Sequence, residues 1–195
     1  VDGSSVTIAN NIITKNYGGF AGGGIAVYGS RATIENNRII GNTGPYGAGL
    51  ILMSGGDRSR VVNNIIEDNK ADSRGGGIIT WEGAQTISGN VFRGNNAYSG
   101  GQNIAMIGQT DSPLIMNNTF DGMGSYPNGI SILNASGGHP TIVNNILTNF
   151  NFAIYNQSAL PLVCQSNGFF GNRTNYYGAI ASTGDVVADP QYNNR

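Results

Sequence analysis

The sequence predicts an all-β solenoid, a chain wound into stacked coils whose strands pair in parallel, and three observations carry that expectation. The first is a repeat. A segment of the form apolar-x-x-Asn-x-apolar returns seven times in 195 residues: TIANNII at 7–13, TIENNRI at 33–39, RVVNNII at 60–66, TISGNVF at 86–92, LIMNNTF at 114–120, TIVNNIL at 141–147 and VCQSNGF at 163–169. The second is the period inside each unit, where apolar residues alternate every two positions over three to five residues, as strands do and helices do not. The third is composition. With 31 Gly and 27 Asn against only 11% charged residues, and Ile and Val throughout, the bias favours turns between buried strands over the charged, apolar-poor signature of disorder.

Each unit reads as the same succession of elements. A first strand points Ile8, Ile34, Val61, Ile87, Ile115, Ile142 and Cys164 inward. A turn follows, marked by Asn11, Asn37, Asn64, Asn90, Asn118, Asn145 and Asn167, which recur at intervals of 26, 27, 26, 28, 27 and 22 residues. The second strand points Ile13, Ile39, Ile66, Phe92, Phe120, Leu147 and Phe169 inward, and in five copies another Asn stands five residues after the first (Asn16, Asn42, Asn69, Asn95, Asn172). A Gly-rich bend, with Gly22, Gly23, Gly75, Gly76, Gly100 and Gly101, precedes a third strand whose inward column is Ile25, Leu50, Ile78, Ile104, Ile130, Ile154 and Ile180. Stacked at about 4.8 Å per coil, the three columns make a cylinder of apolar ladders. The turn asparagines are expected to form a structural ladder, hydrogen-bonding from coil to coil and to turn backbone. The glycines make no phosphate loop, since no helix follows them and no Lys-Ser/Thr closes the motif.

On the Asn-Asn-x-apolar and Gly-Gly-Gly-Ile units, the chain resembles the right-handed parallel β-helix proteins with the pectate-lyase-like fold, over almost its whole length. The resemblance implies a right-handed parallel β-helix solenoid of about seven coils, spanning 1–184. It also implies that the turn Asn itself takes the left-handed conformation. The tail GDVVADPQY at 184–192 is similar to the segment that follows the last coil in many secreted members, so 185–195 is expected to cap or link. A solenoid end exposes unpaired strand groups, and no amphipathic helix precedes the first strand here, so the chain is expected to be part of a larger protein.

Enzymes of that family use the outer face of the third strand and its flanking loops as a polysaccharide cleft, and need carboxylates, a carboxylate-held Ca²⁺ or a Lys/Arg base there. The outward residues of this chain are instead apolar or aromatic, led by Tyr28, Ile51, Met53, Ile79, Trp81, Ile107, Leu133 and Tyr155. That face is the expected site for a protein partner, self-association or a glycan, with Tyr28, Trp81 and Tyr155 as sugar platforms. A second aromatic set in the bends (Tyr17 or Phe20, Tyr46, Tyr98, Tyr126, Phe150 or Phe152, Tyr176 or Tyr177) is expected to seal those bends by packing. The nearest titratable cluster is Lys70, Asp72, Arg74 and Glu82, with Asp57, Arg58 and Arg60 close by. Arg74 and Glu82 bracket one strand, and eight extended residues span roughly 26 Å, so the two are expected to be surface charges and not an acid/base pair.

The remaining signals exclude more than they assign. Ten Lys plus Arg against 11 Asp plus Glu leave a net charge of −1, with no basic patch for nucleic acid. No apolar run is long enough to insert in a membrane. One Cys and one His, Cys164 and His139, argue against an internal disulfide and a zinc site, so no metal and no cofactor is expected. The sequence reading is therefore a non-catalytic β-helix scaffold or binding module, extracellular or at the cell surface, with a polysaccharide-active lyase, hydrolase or epimerase as the alternative, for which Lys70, Asp72, Arg74 and Glu82 are the catalytic candidates.

Overall fold

A computed structural model describes residues 5–53, 58–108, 112–123, 128–133, 138–158, 162–179 and 183–192. Every strand pairing among them is parallel, and the strands fall into three long sheets and one short one. The first sheet holds Val6–Ala9, Ala32–Glu35, Arg60–Val62, Thr86–Ser88, Leu114–Met116, Thr141–Val143 and Val163–Gln165. The second holds Ile12–Thr14, Arg38–Ile40, Ile65–Glu67, Val91–Arg93, Thr119–Asp121, Ile146–Thr148, Gly168–Phe170 and Val186–Val187. The third holds Ile25–Tyr28, Leu50–Met53, Ile78–Trp81, Ile104–Ile107, Asn128–Leu133, Phe152–Asn156 and Thr174–Tyr177. Seven rungs in the first and third sheets leave six full turns between the first and the last.

The inward columns are in register from coil to coil: Ile8 pairs Ile34, Ile34 pairs Val61, and so on to Cys164 in the first sheet. Ile39, Ile66, Phe92, Phe120, Leu147 and Phe169 do the same in the second and are all buried. One continuous core results. β-Branched side chains suit this stack because each rests on its twin in the next coil. The Phe92 and Phe120 rings stack with centroids 4.7 Å apart and planes at 15°.

The turn between the first two sheets explains the asparagines. The residue that takes positive φ is the one before the ladder Asn: Asn10, Asn36, Asn63, Asn117, Asn144 and Ser166 lie at φ 55–60°, with Gly89 at 68° in the remaining coil. This corrects the expectation for the ladder residue itself, none of whose seven members has positive φ. Asn10-type residues absorb the left-handed strain that Asn tolerates, which frees the next side chain to turn inward. There Asn37 shows the pattern. Its backbone N–H and its Nδ2 both donate to Asn64 Oδ1, at 2.9 and 3.0 Å, and its Nδ2 also donates back to the Ile8 carbonyl at 2.8 Å. Asn64, Asn90, Asn118 and Asn145 repeat it, so buried amides are satisfied on both sides.

The second Asn series forms its own ladder, Asn16 to Asn42 to Asn69 to Asn95, ended by Asn103 Oδ1 at 3.0 Å from Asn95 Nδ2. In a later coil Phe150 takes the ladder's place, fully buried, with its N–H donating to Asn172 Oδ1. Gly122 and Gly129 leave room for its ring: an added Cβ would lie 2.7 and 3.3 Å from it.

Two further expectations are corrected. Coils two to four carry a fourth strand where a plain bend was read, Thr43–Tyr46, Lys70–Arg74 and Asn96–Ala97, pairing over a small core of Ala48, Ala71 and Ala97. The last strand of the third sheet is Thr174–Tyr177, so Tyr176, paired with Ile154, ends the inward column. Ile180, read there from the sequence, lies outside the described residues, as do Asp57 and Tyr126.

Candidate ligand face of the third sheet

Alternation places two columns on the outer face of the third sheet. One runs Ala26, Ile51, Ile79, Ala105, Ser131, Tyr155, Tyr177; the other runs Tyr28, Met53, Trp81, Ile107, Leu133. The sequence reading expects one continuous apolar and aromatic patch covered by protein or stacked on a glycan; in the structure the chain itself covers part of it. Ile51, Ile79, Ile107 and Leu133 are buried and form, with Ala105, a second apolar cluster separate from the core. The glycines of the bends are part of what covers them. Gly22, Gly47, Gly75 and Gly101 all sit at positive φ, and an added Cβ would fall 2.6 Å from Ile51 Cγ2, 2.6 Å from Ile79 Cγ2, 2.7 Å from Ile79 Cβ and 2.6 Å from Ala105 Cβ respectively. Backbone without side chains therefore lies directly on the outer aliphatic column.

What remains open is aromatic. Trp81 is 42% exposed, Tyr28 36% and Tyr177 50%, while Met53, Tyr155 and Phe152 are half-buried. At the C-terminal coils three rings gather: Tyr155 and Tyr177 stack at 4.8 Å with planes at 27°, and Phe152 lies 5.3 Å from Tyr155 and 5.2 Å from Tyr177. Gln157 Nε2 donates to the Tyr155 hydroxyl at 2.9 Å. Beside this platform Ser131, paired in register with Tyr155, is buried with an Oγ that has no hydrogen-bond partner, and Asn151, just before Phe152, has an Oδ1 in the same condition. Such atoms are costly unless something supplies the missing partner. Tyr177 and Phe152 were legible only as alternatives to Tyr176 and Phe150. The structure divides each pair, sending Phe150 and Tyr176 inward and Phe152 and Tyr177 outward.

The aromatic set of the bends does not seal them in the first four coils. Tyr17, Phe20 and Tyr98 are strongly exposed, and Tyr46 is exposed beside Arg74, its partner in register. The titratable candidates divide as well. Lys70, Asp72 and Arg74 share one strand of the fourth sheet, whereas Glu82 follows Trp81 at the opposite end of the third-sheet strand, held at φ 61°. Among the described residues no three His, Cys, Asp or Glu side chains converge as a metal site would need. The ladder asparagines from Asn37 to Asn167 are buried and committed to one another, and Asn11 alone of the seven is exposed.

The shifted titrating groups sit elsewhere, at the C-terminal end of the core. Burial first, and then the Asp185 carboxylate, push the Cys164 thiol from its ordinary 9.0 up to about 12. Burial and the hydrogen bond from its hydroxyl to Asp185 Oδ2, at 2.8 Å, push Tyr176 up as well. Both are held neutral, as structural groups are.

Parallel coils, a turn Asn ladder and a covered outer sheet define a β-helical repeat protein. The family model described as right handed beta helix region matches residues 1–98, and the chain belongs to that family. Neither a curated protein nor a solved structure matches it.

Proposed function

We propose that this chain is a non-catalytic glycan-binding scaffold, an extracellular or cell-surface rod that holds a neutral polysaccharide along the outer face of its third sheet. The observation that carries the reading is the Phe152/Tyr155/Tyr177 platform, three touching rings with Tyr177 half exposed, next to the unpartnered Ser131 Oγ. Aromatic faces stack on the apolar faces of pyranose rings, and the half-exposed Tyr177 ring offers such a face. Trp81 and Tyr28 extend the same face toward the N-terminal coils. A protein partner suits the face less well, because the aliphatic column it would need is already buried. The test is a binding series against neutral and acidic polysaccharides by calorimetry. Tyr177→Ala and Tyr155→Ala are each expected to weaken binding about tenfold, the worth of one aromatic stacking contact of 1–1.5 kcal/mol. Absence of binding to every polysaccharide would sink the proposal. Turnover abolished by Arg74→Ala or Glu82→Ala would replace it with the enzymatic alternative.

A further inference from the structure

The outer face of the first sheet carries a local excess of positive charge that the net charge of −1 does not reveal. Arg31 stands just before the strand Ala32–Glu35, and Arg58 and Arg60 open the matching segment of the next coil, whose strand Arg60–Val62 pairs with it. Burial alternates along both segments. Ser30, Ala32 and Ile34 are buried, as are Ser59 and Val61, so Arg31, Thr33, Arg58 and Arg60 turn outward. Ser59 fixes the arrangement: its hydroxyl accepts the Ala32 N–H at 3.0 Å and donates to the Ser30 carbonyl at 3.1 Å, which holds the backbone on both sides of Arg31 against the segment bearing Arg58 and Arg60. With Thr7 and Thr33, the three arginines line a groove of about 300 Å³. Neighbouring coils lie about 4.8 Å apart, so like charges are gathered where pairing between strands ordinarily avoids them. Among the described residues no carboxylate compensates. None that lines the groove is acidic, Glu35 at the far end of its strand is in register with Val62, and the ion pair they contain joins Arg93 to Glu67 on the second sheet. A local rule broken at one place in a regular repeat points to a function for that place.

We propose that Arg31, Arg58 and Arg60 bind a tetrahedral oxyanion, the sulfate or phosphate ester of an anionic polysaccharide. A carboxylate has two oxygens and is satisfied by one guanidinium fork. A sulfate or phosphate group keeps three oxygens beyond its ester bond, and so takes N–H donors from all three arginines and O–H donors from Thr7 and Thr33. The groove is larger than the anion alone and has room for the sugar that bears it. Three cations are too few to follow the run of phosphates along a nucleic acid. This face belongs to the first sheet, and nothing in the proposal rests on the glycan reading of the third.

The test is a calorimetric titration of the parent chain, the double variant Arg31→Gln with Arg58→Gln, and the control Arg93→Gln, whose side chain lies on the second sheet. The probes are dextran sulfate, dextran phosphate, unmodified dextran, polygalacturonate, inorganic sulfate, inorganic phosphate and a DNA duplex. At least one of the two dextran esters is expected to bind the parent, with an affinity that falls as salt is raised. The double variant is expected to weaken that binding at least about tenfold, and Arg93→Gln to leave it unchanged. Because the double variant removes exposed side chains of like charge, it is expected to unfold no earlier than the parent. Dextran and polygalacturonate are expected to bind at least about tenfold more weakly than the ester, since the one lacks the anion and the other offers only carboxylates. Failure of both esters to bind would overturn the proposal, as would ester binding that survives the double variant. Equal affinity for polygalacturonate would show attraction to any polyanion, equal affinity for an inorganic ion would show a site for the free ion, and tighter binding of the duplex would show a nucleic-acid surface; each of these overturns it as well.

Discussion

Asn90 sits in the middle of the ladder and is bonded to the rung on each side. Its Oδ1 receives the Asn64 N–H and Nδ2 at 2.8 and 3.0 Å, and its own Nδ2 gives to the Val61 carbonyl at 2.8 Å. Asn90→Ala removes the shared acceptor of the Asn64 N–H and Nδ2 and the side-chain donor to the Val61 carbonyl, all in the buried interior, while Asn64 Nδ2 keeps the Ile34 and Val62 carbonyls; it is expected to cost about 2–3 kcal/mol in denaturant unfolding, whereas Asn11→Ala, exposed at the end of the ladder, is expected to cost below about 1 kcal/mol. Cys164 supplies a pH test. Its folded pKa, about 12, lies above its ordinary 9.0, so its contribution to stability is complete below pH 9 and is lost as the pH rises toward 12. Tyr176, shifted up by burial and its bond to Asp185, acts in the same direction. Unfolding measured from neutral pH into that range is expected to show a shallower alkaline loss for Cys164→Ala with Tyr176→Phe than for the parent. The native thiol is also expected to resist thiol-specific reagents until the chain unfolds.

At the scale of the element, the bends are where local sequence and tertiary role part company. The glycine clusters were legible as sharp turns, but their second function was not: they lie close enough to cover the outer aliphatic column of the third sheet. Gly76 has an ordinary φ, yet an added Cβ would meet the carbonyl oxygens of Asn96 and Gln102. Gly76→Ala is therefore expected to destabilise by about 1–3 kcal/mol through overpacking, while Gly19→Ala, whose nearest neighbour is 3.9 Å away on the Tyr17 ring, is expected to stay within about 0.5 kcal/mol. Thermal unfolding of the pair separates packing from backbone entropy. The short fourth sheet escaped the sequence reading because its strands, TGPY, KADSR and NA, bury only one small residue each and show no apolar alternation.

For the whole molecule, stability propagates along one axis, since each coil touches only its neighbours, and the ends decide how readily the stack frays. The C-terminal end is closed by Val186–Val187, which pairs with the second sheet, and by Asp185. Burial first, and then the nearby Asp121 and Asp189 carboxylates, raise the pKa of Tyr192 against a hydrogen bond with Thr148 that lowers it, which places the tail against that sheet's outer side. Truncation after Gly184 is expected to lower the thermal midpoint and to make Cys164 reactive toward thiol reagents in the otherwise folded rod. A truncated protein with an unchanged midpoint and a silent thiol would show that the closure is ornamental.

The sequence by itself determined the coil: its length, its three inward columns and the rung on which each Asn lies, because a repeat every 26–28 residues over most of the chain and a period of two within each copy leave no other way to bury the Ile, Val, Leu and Phe positions. Only the tertiary structure decided which outward residues remain open. Exposure of Ile79 depends on where the glycine of the preceding coil passes, and the choice between Tyr176 and Tyr177 or between Phe150 and Phe152 depends on a register set by the coil before. Those are contacts between residues far apart in the chain. A repeat pattern fixes the spacing of such residues, but which neighbour covers them emerges only when the coils stack.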